Sequence, residues 1–277
     1  MLRRLGGYLY PRKEPAPRAS RKLEREGYAV IRQAFGPRAI APLRREILDI
    51  YGAQPPDGRA QIDDEYFRYE MFNKSPRAQK MVARREILDV IEPLLGEDCH
   101  LIANTCWRNP ADSKSRRGGA WHIDAGPHVP RAKGTQWPAK IPYPIFAIGC
   151  HIFLEDCPIE CGPTGVIPRS HKSGRPPPVR RLMEESLTWD SMGVKPLTAK
   201  AGDVALFVSD VWHRRLPTRV GDSGRFFLQA HYGRRDIAQR IKPTQAVHHI
   251  DASAKARIRS VRERRLLGIH PPGFYDG

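Results

Sequence analysis

Gly119-Ala-Trp-His-Ile-Asp-Ala-Gly126 is the stretch on which the reading of this chain turns. Trp121-His-Ile-Asp124 reads as a short strand. Alternate side chains of a strand point the same way, so His122 and Asp124 leave one face and Ile123 the other. One imidazole and one carboxylate placed so can share a small cation, provided a third ligand arrives from another strand. That 2-His-1-carboxylate arrangement leaves three coordination positions open for O2 and an organic co-substrate. The pair alone is weak evidence, because His-x-Asp turns up by chance; the alternative is a surface histidine beside a turn-forming aspartate.

Downstream, Gly202-Asp-Val-Ala-Leu-Phe-Val-Ser-Asp-Val-Trp-His213 is a turn, an apolar strand and a histidine just past the strand's end. A hairpin-like connection follows from Arg214 to Gly224. Arg225 then opens Arg225-Phe-Phe-Leu-Gln-Ala-His-Tyr232, another strand. A buried arginine there needs an anionic partner, and a guanidinium fork suits the far carboxylate of a dicarboxylic keto acid. The alternatives are an ion pair of Arg225 with Asp222, and a structural role for His213.

Strands also read at His100-Leu-Ile-Ala-Asn-Thr-Cys-Trp107 and at Ile145–Leu154, separated by Gly- and Pro-rich turns. Ahead of them the texture is helical. Ser20–Gly27 reads as a helix ended by its glycine, Tyr28–Ile31 as a strand, and Pro37 as the opening of a second helix. Residues 52–65 read as a polar loop and 76–95 as one further helix stopped by Pro93 and Gly96. Helices first and many short strands afterwards predict a mainly β protein, a jelly roll with N-terminal helices packed outside it. The expected layout is a basic, flexible segment over 1–20 and a single domain over 21–277. Within it, helices occupy 21–97, the jelly-roll core about 98–235, and a basic, partly helical extension 236–277.

Composition narrows the class. The chain has 277 residues, 40% of them hydrophobic, enough for a core. No run approaches a membrane span, and the first residues lack the apolar centre of a secretory signal. Five cysteines, an odd number in a chain of this size, predict reduced thiols and a cytoplasmic protein. Cys150, Cys157 and Cys161 leave a zinc site as an alternative, although no paired C-x-x-C module is present. The net charge of +17 favours anionic partners: nucleic acid, a phosphorylated or carboxylated substrate, or a membrane surface. Arginine spread evenly along a Pro- and Gly-rich chain also fits a GC-rich genome.

Three segments together carry a resemblance: Trp121-His-Ile-Asp124, Cys161-Gly-Pro-Thr-Gly-Val-Ile-Pro-Arg-Ser-His-Lys172, and Gly202-Asp203 through Trp212-His213 to Arg225 and His231-Tyr-Gly233. In that order the chain resembles the phytanoyl-CoA dioxygenase family of Fe(II)/2-oxoglutarate-dependent oxygenases, over about residues 95–235. The resemblance implies a double-stranded β-helix in which His122, Asp124 and His213 hold Fe(II) and act as the catalytic centre. Arg225 would bind the far carboxylate of 2-oxoglutarate, with Arg219, in the preceding loop, as the competitor. Asn104 and Trp121 are implied as further co-substrate contacts. Trp107 shares the alternative of ordinary aromatic packing with Trp121. His171 is implied to be a structural turn residue rather than a ligand, and His128, His151 and His231 packing or polar-network residues. Arg169 departs from the family pattern, where a small residue is usual. So does the long loop Pro127–Pro144, which is expected to cover the substrate pocket.

The implied activity is dioxygenation: 2-oxoglutarate and O2 are consumed, succinate and CO2 released, with ascorbate in a supporting role. Because Asp124 is present, hydroxylation, desaturation or ring closure is favoured over halogenation, which needs a small residue there. The expected substrate is a small molecule, and the basic composition suits an anionic one. The competing functions are a jelly-roll binding protein without catalysis and an oxygenase acting on nucleic acid.

Overall fold

The computed structural model describes residues 17–53, 61–62, 65–111, 117–124, 126–135, 137–138, 140–237 and 250–270. The basic segment ahead of residue 17 and the end of the C-terminal extension lie outside them.

The first helix, α1 (Arg18–Glu26), stops at Gly27, which takes φ 80° and returns its N–H to the Leu23 carbonyl at 2.9 Å. A side chain at Gly27 would have to enter the left-handed region, and its Cβ would meet His171 Nδ1 at 2.5 Å. The chain continues into β1 (Tyr28–Ile31) and α2 (Pro37–Ala53), with the predicted proline at its start. Where a polar loop was expected, a small hairpin forms from β2 (Gln61–Ile62) and β3 (Glu65–Tyr69). β3 extends the main sheet by pairing with β4 from Tyr66 to Tyr69.

After α3 (Met71–Lys74), the single helix expected over 76–95 is two: α4 (Pro76–Met81) and α5 (Arg85–Leu95). Arg84 between them is extended (φ −71°, ψ 141°), so the apolar stripe continues across a break in the backbone. Ser75 caps α4 by accepting from the Ala78 N–H at 2.9 Å.

The strands then follow: β4 (His100–Asn109), β5 (Ala147–Phe153), β6 (Thr164–Val166), β7 (Lys195–Pro196), β8 (Val204–Val208), β9 (His213–Arg215) and β10 (Arg225–Gly233). Seven form one antiparallel sheet in the order β1-β8-β5-β10-β4-β3-β2, and three a second sheet, β7-β6-β9. This is the expected jelly roll. Trp121–Asp124, however, is not a strand. His122 makes one isolated bridge to His213, and the segment otherwise runs irregularly between the sheets.

Alternation along β10 divides the molecule. Phe226, Leu228, Ala230 and Tyr232 face the helices and join the larger apolar core. Arg225, Phe227, Gln229 and His231 face the second sheet, and Phe227 belongs there to a smaller core with Phe153, Phe207 and Val166. The C-terminal helices α6 (Ala252–Ala256) and α7 (Val261–Leu266) return to the N-terminal ones. Arg262 pairs with Glu92 at 2.6 Å, and His270 meets His100 of β4 at 2.8 Å. All five cysteines are buried and free, and they form no ligating cluster. No helix among the described residues is long and apolar enough to cross a membrane.

Candidate metal centre and co-substrate pocket

The structure brings His122, Asp124 and His213 together. Asp124 Oδ1 lies 3.3 Å from His213 Nε2 and 3.8 Å from His122 Nε2. The three ligating atoms fall within 4.8 Å of one another, the one such cluster among the described residues. Both histidines are oriented by backbone. His122 Nδ1 is 2.8 Å from the Ala120 carbonyl, and His213 Nδ1 is 2.9 Å from that of Val211. A carbonyl can only accept, so each Nδ1 carries a proton and Nε2 is the ring nitrogen left facing Asp124. Such hydrogen bonds to backbone carbonyls fix the ring orientation and leave Nε2 as the nitrogen that can bind a cation. Two imidazoles whose Nε2 atoms converge on one carboxylate suit Fe(II) once both nitrogens are deprotonated, and such a set leaves coordination positions for further ligands.

The carboxylate is prepared as well. Burial opposes its ionisation, but the imidazoles of His213, His231 and His122 more than offset this and hold Asp124 well below the usual carboxylate range. His122 is pushed down, first by burial and then by His213.

Short backbone ties position the ligands. The Asp124 N–H donates to the Ser209 carbonyl at 3.1 Å, and His122 and His213 exchange both backbone hydrogen bonds. Asp210 holds the chain just beyond, taking the His128 N–H at 3.0 Å and His128 Nδ1 at 2.5 Å. One connection, Ser209 to Trp212, therefore sets two ligands at once.

A line of packed rings runs from the ligands to Arg225 and forms the floor of the candidate pocket. His213 lies 4.8 Å from the Phe207 ring, Phe207 5.1 Å from His151, and His151 stacks on Phe227 at 4.2 Å. The Arg225 guanidinium stands 5.3 Å over Phe227. Arg225 is 4% exposed, and its Nε donates to Asn109 Oδ1 at 2.5 Å. His151 is neutral there: burial first, then Arg225 and His213, push it well below its ordinary value. Arg219, by contrast, is exposed, with its backbone N–H tied to the Glu160 carbonyl.

Two expected co-substrate contacts are not brought to this pocket. Asn104 stands opposite Ala230 and shares the helix side of β4 with Cys106. The pocket side carries Thr105 and Trp107 instead, linked by Trp107 Nε1 to Thr105 Oγ1 at 3.2 Å and by Thr105 Oγ1 to Gln229 Oε1 at 3.1 Å. Trp121 turns into a third apolar cluster with Ile167, Leu187 and Trp212, where its Nε1 donates to the Glu184 carbonyl at 2.6 Å. His171 is structural: its Nε2 meets the Glu24 carbonyl at 3.0 Å, and burial lowers it to about 3. His231 and Ser209 touch the ligand set, and sequence reasoning gave neither of them a role at the metal. The loop after residue 126 is fastened to the Ser-His-Lys turn, with the Arg131 N–H on the Gly174 carbonyl and Tyr143 edge-on to His171 at 5.5 Å.

A histidine-aspartate-histidine cluster on a jelly roll, with its segments in this order, matches a known family model, described as Phytanoyl-CoA dioxygenase (PhyH), over residues 23–220. The chain belongs to the phytanoyl-CoA dioxygenase family. Its match ends before Arg225. No curated protein matches the sequence. Among solved structures it is similar to the non-haem α-ketoglutarate-dependent epimerase SnoN from nogalamycin biosynthesis, with 18% identity, TM-score 0.62, and 83% of this chain and 90% of that one covered. HygX from Streptomyces hygroscopicus, with nickel and 2-oxoglutarate bound, gives 16%, 0.63, 81% and 90%. EctD from S. alaskensis, with 2-oxoglutarate and 5-hydroxyectoine, gives 22%, 0.60, 80% and 77%. At these identities the likeness is one of fold.

Proposed function

We propose that this chain is an Fe(II)- and 2-oxoglutarate-dependent dioxygenase that hydroxylates a small anionic organic molecule. The observation that carries the reading is Asp124 Oδ1 facing Nε2 of both His122 and His213, at one end of a buried floor that ends at Arg225. His122, Asp124 and His213 would hold the metal, which supplies O2 activation coupled to decarboxylation of the keto acid.

The protein's own contribution is placement. Arg225 offers a fixed cation to the far carboxylate, and a charge pair formed at so buried a position is little screened. The floor of Phe207, His151 and Phe227 excludes water from the space between. Neutral His151 adds no charge to compete with Arg225 for the carboxylate. A carboxylate ligand at position 124 occupies the place that halogenating relatives vacate, which favours hydroxylation. Exposed Lys133 and Lys140 on the loop expected to cover the pocket, together with the net charge of +17, support an anionic substrate.

Anaerobic protein mixed with Fe(II) and 2-oxoglutarate is expected to develop a weak visible charge-transfer band, and to release succinate once O2 and a substrate are added. No band, and no succinate with any of a panel of phosphorylated and carboxylated small molecules, overturns the reading.

A further inference from the structure

The two oxygens of Asp124 have different partners. Oδ1 is the one turned to His213 and His122. Oδ2 lies 3.5 Å from Nε2 of His231, and that same nitrogen is 2.7 Å from the hydroxyl of Ser209. The His231 side chain is 10% exposed and stands outside the ligating cluster of His122, Asp124 and His213. With its proton on Nε2, His231 donates to the Ser209 hydroxyl and presents the same N–H toward Asp124 Oδ2, which can only accept. Ser209 is tied to Asp124 a second time, because its carbonyl accepts the Asp124 N–H.

The sheet is shaped at this point. His231 sits on the pocket side of β10, opposite Ala103, while Tyr232 pairs with Leu101, so Ile102 of β4 is an extra residue in the ladder. Such a bulge increases local twist and re-aims the side chains beside it.

We infer that His231 is a positioning residue that keeps Asp124 a one-oxygen ligand; this rests on the metal-site reading above. A carboxylate that rotates to chelate through both oxygens takes a second coordination position. Only two would then remain, and a chelating keto acid would fill both and leave none for O2. By engaging Oδ2, His231 opposes that rotation and also limits the directions Oδ1 can take.

The test uses the full chain, with Co(II) as the probe, in wild type and in His231→Leu, His231→Asn and His231→Gln. Gln places an amide N–H about where Nε2 lies; Asn is polar but too short to reach. Co(II) affinity, the spacing of the carboxylate stretches in infrared difference spectra and thermal unfolding of the metal-free protein are measured for each. Wild type is expected to show the wide spacing of a one-oxygen carboxylate. Leu and Asn should bind Co(II) roughly 10- to 100-fold more weakly, as outer-shell losses do, with a narrowed spacing and metal-free unfolding close to wild type. Gln should restore both affinity and spacing. Should Leu fail to fold, the contrast of Asn with Gln decides. Wild-type affinity and spacing in both Leu and Asn overturn the inference, as does a Gln variant no better than Asn. A wild-type protein that takes up no Co(II) overturns the metal-site reading and this inference with it.

Discussion

His213 Nε2 stands 3.3 Å from Asp124 Oδ1, although the two residues are 89 positions apart and neither belongs to the seven-stranded sheet. His213 opens β9 of the smaller sheet, and Asp124 hangs from the Ser209 carbonyl in an irregular segment. The site therefore depends on the connection from β8 to β9 more than on the strand pairing that dominates the fold.

Removing either ligand should abolish tight metal binding. Asp124→Ala and His213→Ala are expected to lower Fe(II) affinity by more than the roughly 10- to 100-fold of an outer-shell loss, and to remove the charge-transfer band with 2-oxoglutarate. Anaerobic titration followed by visible absorbance reads both, and a band of wild-type strength in either variant would remove that residue from the ligand set.

Arg225→Ala should weaken 2-oxoglutarate chiefly, leaving Fe(II) uptake intact. Loss of one partner of a buried charge pair costs on the order of 3–5 kcal/mol. Exposed Arg219 should tolerate the same change. The two variants are compared by titrating 2-oxoglutarate into the Fe(II) protein; a weakened Arg219→Ala beside an unaffected Arg225→Ala would reverse the assignment.

The histidine pair that joins β4 to the C-terminal extension should make stability depend on pH. Burial, then His100, lowers His270 to about 4, and burial also lowers His100. Their folded values lie below the unfolded value near 6.5, so the folded state binds fewer protons. Their contribution is present above about pH 6.5 and lost as pH falls toward 4. Melting temperatures at pH 7 and pH 5 are expected to differ more in wild type than in His270→Phe; equal differences would assign the acid sensitivity elsewhere.

Gly27→Ala should destabilise the fold although the residue is far from the ligands in sequence. Alanine at φ 80° is strained, and its Cβ would meet His171 at 2.5 Å. The cost should exceed about 1 kcal/mol, a fall in Tm of at least about 2–4 °C for a chain of this size. Thermal unfolding measures it, and an unchanged Tm would mean that the turn at Gly27 relaxes freely.

What could be read from the sequence was local. Gly27 and Pro37 marked helix ends, and the apolar run before His213 marked a strand, because each signal lies within a few residues of what it specifies. Arg225 was legible because a charged residue opening an apolar strand is unusual. The helix-side placement of Asn104 is not legible, because β4 is buried on both faces, so no polar alternation reveals its parity, and the bulge at Ile102 changes the register besides. The packing of the Trp121 indole against residues 182–187 is likewise hidden, because they lie more than 60 positions away. His231 had no local signal at all; only the position of β10 in the sheet brings it to Asp124.

β9 is three residues long and uses both faces. His213 points inward, while Arg214, between it and Arg215, turns outward over the Trp121 ring and donates to the carbonyls of Met183 and Arg117. Arg214 thus rivets two segments distant in sequence to the back of the candidate metal centre. Changing Arg214 would therefore loosen both segments together, and the strand that carries His213 would lose its fastening on the far side.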